Sequence, residues 1–312
     1  MSSQKHCFLA AVLSVSVSVV LYTTHLHKQK TPRRLNVSIS LVLEEVCDVL
    51  SEGNMAFVQE GTLKTSFGNS SCKGYLIQNH YITRPLSTEE AAFPLAYIMT
   101  VHKEFDTFER LFRTIYMPQN VYCIHVDWKA SPEFKKNVEN LLKCFPNAFL
   151  ASKMELVVYA GISRLQADLN CMKDLLESEI QWKYLLNTCG QDFPLKTNKE
   201  IIQHLKGFKG KNITPGGLPP AHVLRRTKYI HKEQNYHFFS FILWTFFPKT
   251  PAPHNLTIYF GSAYIAVTRE FTKFILADQR AIDLLEWSRD TYSPDEHFWV
   301  TLNRIPGMYD AS

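Results

Sequence analysis

The segment Ser293–Trp299 (Ser-Pro-Asp-Glu-His-Phe-Trp) is the part of the chain best equipped for proton transfer. Its glutamate, Glu296, could accept a proton from an attacking hydroxyl group if its carboxylate stays free. The same residues also fit a capping box, in which Ser293 caps a helix and Glu296 bonds back to the Ser293 backbone. Asp295 is interpreted as a favourable charge at a helix start. Sequence alone leaves both roles of Glu296 open.

A second carboxylate, Asp127, directly follows the apolar run Val121–Val126, which is typical of a strand buried on both faces. It could accept hydrogen bonds from a ribose or from a uracil N–H, or it could simply begin a turn. The sequence has no Asp-x-Asp pair, and its histidines and cysteines show no metal-ligand spacing. A metal site is therefore not expected.

Alternating strands and helices must position these residues. Apolar runs predict strands at 95–101, 121–126, 148–151 and 184–189, and helical patterns lie between them. Strands repeating at about thirty residues with intervening helices indicate βαβ units and a mostly parallel α/β sheet. Ser163-Arg-Leu-Gln166 predicts a capping box at one of these helices. Ligands lie at the carboxyl ends of such strands, which here are followed by His102, Asp127 and residues 190–192.

Composition sets the class of protein. The chain has 312 residues, an apolar share of 46% and a formal charge of +5, which fits a globular protein and is too mild to indicate a nucleic-acid partner. One α/β domain at 72–312 accounts for the regular pattern. Residues 25–71 are interpreted as a stem and an irregular lead-in.

The N-terminus predicts a membrane anchor. Residues 7–24 carry no charge and would span about 27 Å as a helix, so we interpret them as an uncleaved signal anchor that follows a cytosolic tail at 1–6. Six of the seven cysteines lie beyond the anchor, together with four glycosylation sequons at Asn36, Asn69, Asn212 and Asn255. The sequence therefore predicts a domain in the lumen of the secretory pathway.

Six long motifs together resemble the core-2 and I-branching β-1,6-N-acetylglucosaminyltransferase family, and the I-branching members most closely. They are the segments 116–127, 159–171, 187–198, 212–220, 279–287 and 292–299. The resemblance extends over roughly Cys72 to Met308.

The resemblance implies an inverting transferase of the GT-A-like (Rossmann-like) fold. Its donor would be UDP-N-acetylglucosamine (UDP-GlcNAc), and its acceptor the galactose of poly-N-acetyllactosamine or of a related O- or N-glycan. Glu296 matches the catalytic base of the family and Asp127 a donor-binding residue. Val101, His102 and Tyr159 match positions that line the uridine site.

The resemblance also implies a metal-independent enzyme of the Golgi membrane, single-pass and type II. Spacing alone leaves fifteen pairings of the six lumenal cysteines open. The resemblance selects Cys72 with Cys144 and Cys123 with Cys171, and leaves Cys189 as a thiol.

The end of the chain carries a further expectation. Family members continue beyond Ser312, and the resemblance places the diphosphate-binding cations and a partner for Cys47 in that part. The alternative to an active transferase is therefore a truncated, inactive member that binds glycans or partner transferases. A homodimer is also considered, and a nucleotide-sugar hydrolase is disfavoured because no second base is apparent.

The segment His237–Phe247 is unusually apolar, and relatives are more polar there. Its eleven residues are too few to span a membrane. Two interpretations stay open, namely a buried strand and an exposed segment prone to aggregation.

Overall fold

The protein is described by a computed structural model at residues 71–236 and 239–306. The predicted anchor at 7–24, nearly all of the predicted stem and lead-in, and Cys47 lie outside these residues. Within the described ranges, no helix is both long enough and apolar enough to cross a membrane.

The described strands and helices follow the predicted alternation. In chain order the strands are β1 (Leu95–Val101), β2 (Val121–Val126), β3 (Ala148–Leu150), β4 (Tyr184–Cys189), β5 (Gly216–Gly217), β6 (Tyr229–Asn235), β7 (Ser240–Pro248), β8 (Phe260–Gly261) and β9 (Ala266–Thr268). The α-helices are α1 (Cys72–Gln78), α2 (Thr88–Ala91), α3 (Phe105–Ile115), α4 (Pro132–Leu142), α5 (Ile162–Glu177), α6 (Asn198–Gly207), α7 (Ala221–Lys228), α8 (Arg269–Ala277), α9 (Gln279–Ser288) and α10 (Phe298–Leu302).

The central sheet has the order β3-β2-β1-β4-β9. Strands β1 to β4 are parallel, and β9 pairs antiparallel with β4 at one edge. The prediction of a mostly parallel α/β sheet is confirmed, and the predicted bounds of β1, β2 and β4 agree with the structure. Two smaller antiparallel pairs, β5–β8 and β6–β7, complete the described strands.

The core lies on both faces of this sheet because side chains alternate along each strand. In β1, Tyr97 and Met99 pack on the face covered by α3 and α4. Ala96 and Ile98 pack on the opposite face with apolar side chains of α5, α8, α9 and α10. A strand buried on both faces needs apolar residues at every position, which is why the continuous run Leu95–Val101 forms the sheet centre.

Two disulfides connect the elements. Cys72–Cys144 joins α1 to the turn after α4, and Cys123–Cys171 joins β2 to α5. Cys189 is a free thiol. The pairing implied by the family resemblance is confirmed.

The start of α5 differs from the predicted capping box. The helix begins after Gly161, and the hydroxyl of Ser163 does not cap it. Instead the carboxylate of Glu233, on β6, accepts hydrogen bonds from the Ser163 backbone N–H (3.1 Å) and hydroxyl (3.0 Å). A Cβ on Gly161 would lie 2.2 Å from a Glu233 carboxylate oxygen, so the close approach requires glycine. The cap comes from a distant strand because the free N–H groups at a helix start donate to any suitably placed anion.

Candidate active site

A cavity of about 630 Å³ opens at the carboxyl ends of β1, β2 and β4. All five residues singled out from the sequence contribute to its wall, namely Val101, His102, Asp127, Tyr159 and Glu296. They come from four separate regions of the chain that meet at this edge of the parallel sheet, as expected for ligand sites in such folds. The loop after β4 also contributes Gln191.

Asp127 is held firmly at the end of β2. Its buried carboxylate accepts a hydrogen bond from the Lys129 backbone N–H (2.9 Å), and the Lys129 ammonium lies 3.8 Å away. These contacts agree with the interpretation of Asp127 as the residue that begins a turn. Because the residue also lines the cavity, a donor-binding role remains compatible with this geometry and stays a prediction.

Tyr159 lines the cavity and is 88% exposed. An aromatic ring in this position offers an apolar face to a planar base or a sugar ring. The adjoining Ala160 has a left-handed backbone (φ 61°), and its carbonyl accepts a hydrogen bond from the Ser293 N–H (2.9 Å). This bond links the Tyr159 segment to the Glu296 segment.

Glu296 does not serve as a helix cap. Ser293 has a left-handed backbone (φ 49°) and makes no side-chain cap, and Pro294–Glu296 forms a single 3₁₀ turn. The predicted capping box is wrong here, because a left-handed Ser293 does not have the extended backbone of an N-cap residue. Glu296 instead forms part of the cavity wall, and 38% of its side chain is exposed.

Arg226 is the direct partner of Glu296. Its guanidinium, on α7, donates to one carboxylate oxygen, Oε2, at 2.6 Å. It also lies 5.3 Å from the ring centre of Tyr292, whose backbone N–H donates to the Arg226 carbonyl. Among the described residues Oε1 of Glu296 has no hydrogen-bond partner, so this oxygen can face a ligand. Arg226 could not be singled out from the sequence, because nothing in its neighbourhood distinguishes it from Arg225.

The floor of the cavity contains a buried charged network. Arg164 donates to Asp168 at 2.6 Å, and the Asn187 amide donates to the other Asp168 oxygen at 2.9 Å. Asp295 is buried and lines the cavity beside them. Burial raises the pKa of Asp295 to about 6, opposed by Arg164 and reinforced by the Asp168 and Glu296 carboxylates. Asp295 lies in the first turn of the 3₁₀ helix Pro294–Glu296, as predicted for a charge at a helix start, but it is buried there.

The residues that follow Glu296 belong to the core. Phe298 and Trp299 are fully buried, so they pack inside the domain and do not offer a sugar-binding face. His297 is also buried, and one ring nitrogen lies 3.1 Å from the Ser288 hydroxyl. Burial lowers the pKa of His297 to about 3, so its ring is neutral at physiological pH. This packing fixes the backbone that carries Glu296.

Two cationic side chains line the cavity, one from the turn after β2 and one from α5. Lys129 and Arg164 line its wall, and Arg164 is committed to Asp168. In the part of the chain that the structure describes, no three His, Cys, Asp or Glu side chains are grouped to hold a metal ion. The metal independence implied by the family resemblance stays a prediction.

The apolar segment at 237–247 contributes to an exposed strand. Residues 237 and 238 lie outside the described ranges, and the remainder forms most of β7, paired with β6. Phe246 is 94% exposed and Phe247 72% exposed. Of the two interpretations left open by the sequence, the structure supports the exposed segment.

Comparison with known proteins gives the family. The sequence profile described as "Core-2/I-Branching enzyme" matches residues 95–312. A human N-acetyllactosaminide beta-1,6-N-acetylglucosaminyl-transferase is 59% identical over 309 residues, covering 99% of this chain and 77% of the relative. The protein of the same name from Mus musculus is 59% identical over 306 residues, covering 98% of this chain and 76% of the relative.

Among solved structures, a 4-diphosphocytidyl-2C-methyl-D-erythritol synthase from Anaerococcus prevotii is similar over 66% of this chain and 87% of its own. Its identity of 12% and TM-score of 0.31 are too low to support an argument. The sequence matches decide the assignment: this chain belongs to the Core-2/I-branching enzyme family.

Proposed function

We propose that this protein transfers N-acetylglucosamine from UDP-GlcNAc, in β-1,6 linkage, to the galactose of poly-N-acetyllactosamine or a related glycan. The activity is that of relatives 59% identical over nearly the whole chain. The observation that carries the proposal is the Glu296 carboxylate. It lies in the wall of a cavity that Asp127 and Tyr159 also line, and it makes no hydrogen bond to a helix N-terminus.

The proposed reaction assigns one task to Glu296. Its free oxygen, Oε1, accepts the proton of the acceptor hydroxyl. At the same time the oxygen of that hydroxyl attacks the anomeric carbon of the donor sugar. The bond from that carbon to the diphosphate oxygen breaks, and UDP leaves with the electron pair. A single displacement inverts the anomeric configuration and gives the β linkage. Arg226 holds Oε2, which fixes the direction of Oε1.

The remaining wall of the cavity supports donor binding. Asp127 would accept hydrogen bonds from the nucleoside, and the exposed ring of Tyr159 would cover the uridine together with Val101 and His102. The ammonium of Lys129 provides positive charge near a bound diphosphate. We expect UDP to bind in the presence of a chelator, since metal independence is part of the proposal.

A transferase assay tests the proposal directly. The full chain is incubated with UDP-GlcNAc, a lactosamine-repeat acceptor and a chelator, and the linkage of the product is determined. Glu296→Gln should lower the rate by about 10²- to 10⁴-fold, because the amide cannot accept the proton. Binding of UDP should be unchanged.

Glu200→Gln is the matched control, since Glu200 occupies the same place in a Thr-x-x-Glu pattern but only caps α6. It should retain full activity. Transfer by Glu296→Gln at the wild-type rate would refute the base assignment. Absence of transfer and of UDP binding in the wild-type chain would support an inactive, glycan-binding family member.

We also propose that the protein resides in the Golgi membrane as a single-pass type II protein with its domain in the lumen. The two disulfides support an oxidising compartment. Protease protection of an epitope at the C-terminus, in sealed Golgi vesicles, tests this orientation. Digestion without detergent would contradict it. Crosslinking in the same vesicles tests association with a second copy or with other transferases.

A further inference from the structure

Two glycosylation sequons in the described residues have opposite surroundings. They are Asn212-Ile-Thr214 and Asn255-Leu-Thr257. We propose that Asn255 carries an N-linked glycan and that Asn212 is a structural residue that stays unmodified in the folded protein. The proposal rests on the lumenal location proposed above, because N-linked glycans are added in that compartment.

The side chain of Asn212 is engaged at both ends. It is 3% exposed. Its Oδ1 accepts a hydrogen bond from the Thr268 backbone N–H (2.9 Å), and its Nδ2 donates to Oδ1 of Asn303 (2.9 Å). The Asn303 amide in turn donates to the Thr214 hydroxyl at 2.9 Å. Both recognition residues of this sequon are therefore part of one buried network.

The backbone of the same sequon is also occupied. Ile213 exchanges both backbone hydrogen bonds with Ala266 of β9, at 2.8 and 3.0 Å. The sequon is thus fastened to the edge of the central sheet through its main chain as well as its side chains. In the folded protein both the main chain and the side chains of this sequon are therefore occupied by other contacts.

A glycan on Asn212 would conflict with this packing. N-linkage replaces one N–H of Nδ2 with a sugar ring, and the Asn212 side chain, at 3% exposure, leaves little room for that ring. The adjoining cleft has a volume of about 180 Å³, and Arg304 bridges it by donating to the Gly216 carbonyl (2.6 Å). If the amide turned outward instead, the Thr268 N–H and the Asn303 amide oxygen would each lose a hydrogen-bond partner.

Asn255 has the opposite environment. It and Thr257 are both exposed. Asn255 ends a short 3₁₀ turn with a left-handed backbone (φ 54°), a conformation that asparagine tolerates better than most residues. The preceding His254 contacts the Asp283 carboxylate of α9 at 2.6 Å, which anchors the loop. None of these residues lines the candidate-site cavity.

Site mapping on the wild-type chain tests the proposal. The full chain is expressed in mammalian cells and purified from post-endoplasmic-reticulum membranes. Its glycans are then released by peptide N-glycosidase in heavy-oxygen water, which labels each formerly glycosylated asparagine. We expect the label on Asn255 and none on Asn212. A label on Asn212, or an Asn255 without label, would overturn the assignment.

Two matched substitutions sharpen the test. Asn255→Gln should increase the gel mobility by one glycan and leave the unfolding temperature of the deglycosylated protein unchanged. Asn212→Gln should leave the mobility unchanged and lower the unfolding temperature, because the longer side chain cannot keep both hydrogen bonds. If Asn212→Gln does not accumulate, Thr214→Ser keeps the sequon and the hydroxyl, and it should reproduce the wild-type labelling.

The outcome is separable from that of the transferase assay. A chain without a glycan at any sequon would overturn this assignment and the lumenal location together. A chain with a glycan on Asn255 but without transferase activity would leave this assignment standing and refute only the proposed reaction.

Discussion

Two segments share one sequence pattern and have different structures. Thr197-Asn-Lys-Glu200 forms a true capping box, in which the Thr197 hydroxyl accepts from the Glu200 N–H (3.3 Å) and the Glu200 carboxylate accepts from the Thr197 N–H (2.8 Å). Ser293-Pro-Asp-Glu296 has the same spacing but makes neither side-chain bond. Glu200 is bound to its own helix start, whereas Glu296 faces the cavity and Arg226.

The difference is set by contacts from elsewhere in the chain. The backbone of Thr197 is extended, as a cap requires, but that of Ser293 is left-handed and is held by the Ala160 carbonyl. The segment α7–β6 then supplies Arg226 to Glu296, and Glu233 to the start of α5. A capping pattern is therefore fulfilled only where no distant group competes for its members.

The largest expected effect on stability concerns Asp295, whose counterpart in the Thr197 cap is the exposed Lys199. The pKa of Asp295 is about 6 in the folded protein against 3.8 as its ordinary value. Between about pH 4 and 6 the folded state therefore holds a proton that the unfolded state has lost, and stability falls as pH rises. By linkage this difference amounts to about 3 kcal/mol.

Asp295→Asn should remove that loss. The free energy of unfolding of the variant, relative to wild type, should rise by about 3 kcal/mol from pH 4 to pH 7. Urea denaturation at several pH values measures it. Because His297 is present in both proteins, the comparison with wild type separates the effect of Asp295 from that of His297. The buried, neutral His297 lowers the free energy of unfolding as pH falls, which is the opposite direction. Parallel pH curves would show that Asp295 titrates normally.

A smaller effect is expected at the distant cap of α5. Glu233→Ala removes a charged acceptor from the Ser163 N–H and hydroxyl, and should lower the free energy of unfolding by about 2 kcal/mol. Lys232→Ala, an exposed neighbour on β6, should change it by less than about 0.5 kcal/mol. Urea unfolding of both variants provides the measurement. Equal stability of the two variants would mean that water replaces the carboxylate at the helix start.

Arg226→Gln tests whether the partner of Glu296 orients it. We expect kcat/KM for transfer to fall about tenfold, since the carboxylate loses its fixed direction, with little change in the free energy of unfolding. Arg225→Gln, the exposed neighbour on α7, should keep wild-type kinetics. An unchanged rate in Arg226→Gln would show that Glu296 is positioned by its backbone alone.

The smallest effect is expected at the ordinary cap. Thr197→Ala should lower the free energy of unfolding by about 1 kcal/mol, which is the usual loss for an N-cap hydroxyl. Transferase kinetics should not change, since α6 contributes no side chain to the cavity wall. Thermal unfolding and the transferase assay check the two parts. A drop in activity would contradict the contrast between the two segments.

The sheet was predictable from the sequence, and so was much of the candidate site. The apolar runs of β1, β2 and β4 have one stable solution, because strands without polar positions must be buried on both faces. Once they are parallel, the residues at their carboxyl ends meet, which brings His102 and Asp127 together. The contribution of Val101, Tyr159 and Glu296 to the same wall followed from family resemblance, not from periodicity.

Local sequence therefore determined the strands, the family and the edge of the sheet at which the cavity opens, since these depend on apolar periodicity and on long motifs. Tertiary structure alone decided the roles of individual polar groups. Whether a carboxylate caps a helix or faces a cavity, as at Glu200 and Glu296, depends on its distant neighbours. Whether a sequon is exposed or buried, as at Asn255 and Asn212, depends on them too. A hydrogen-bonding group has several partners of similar energy, and only the folded chain selects among them.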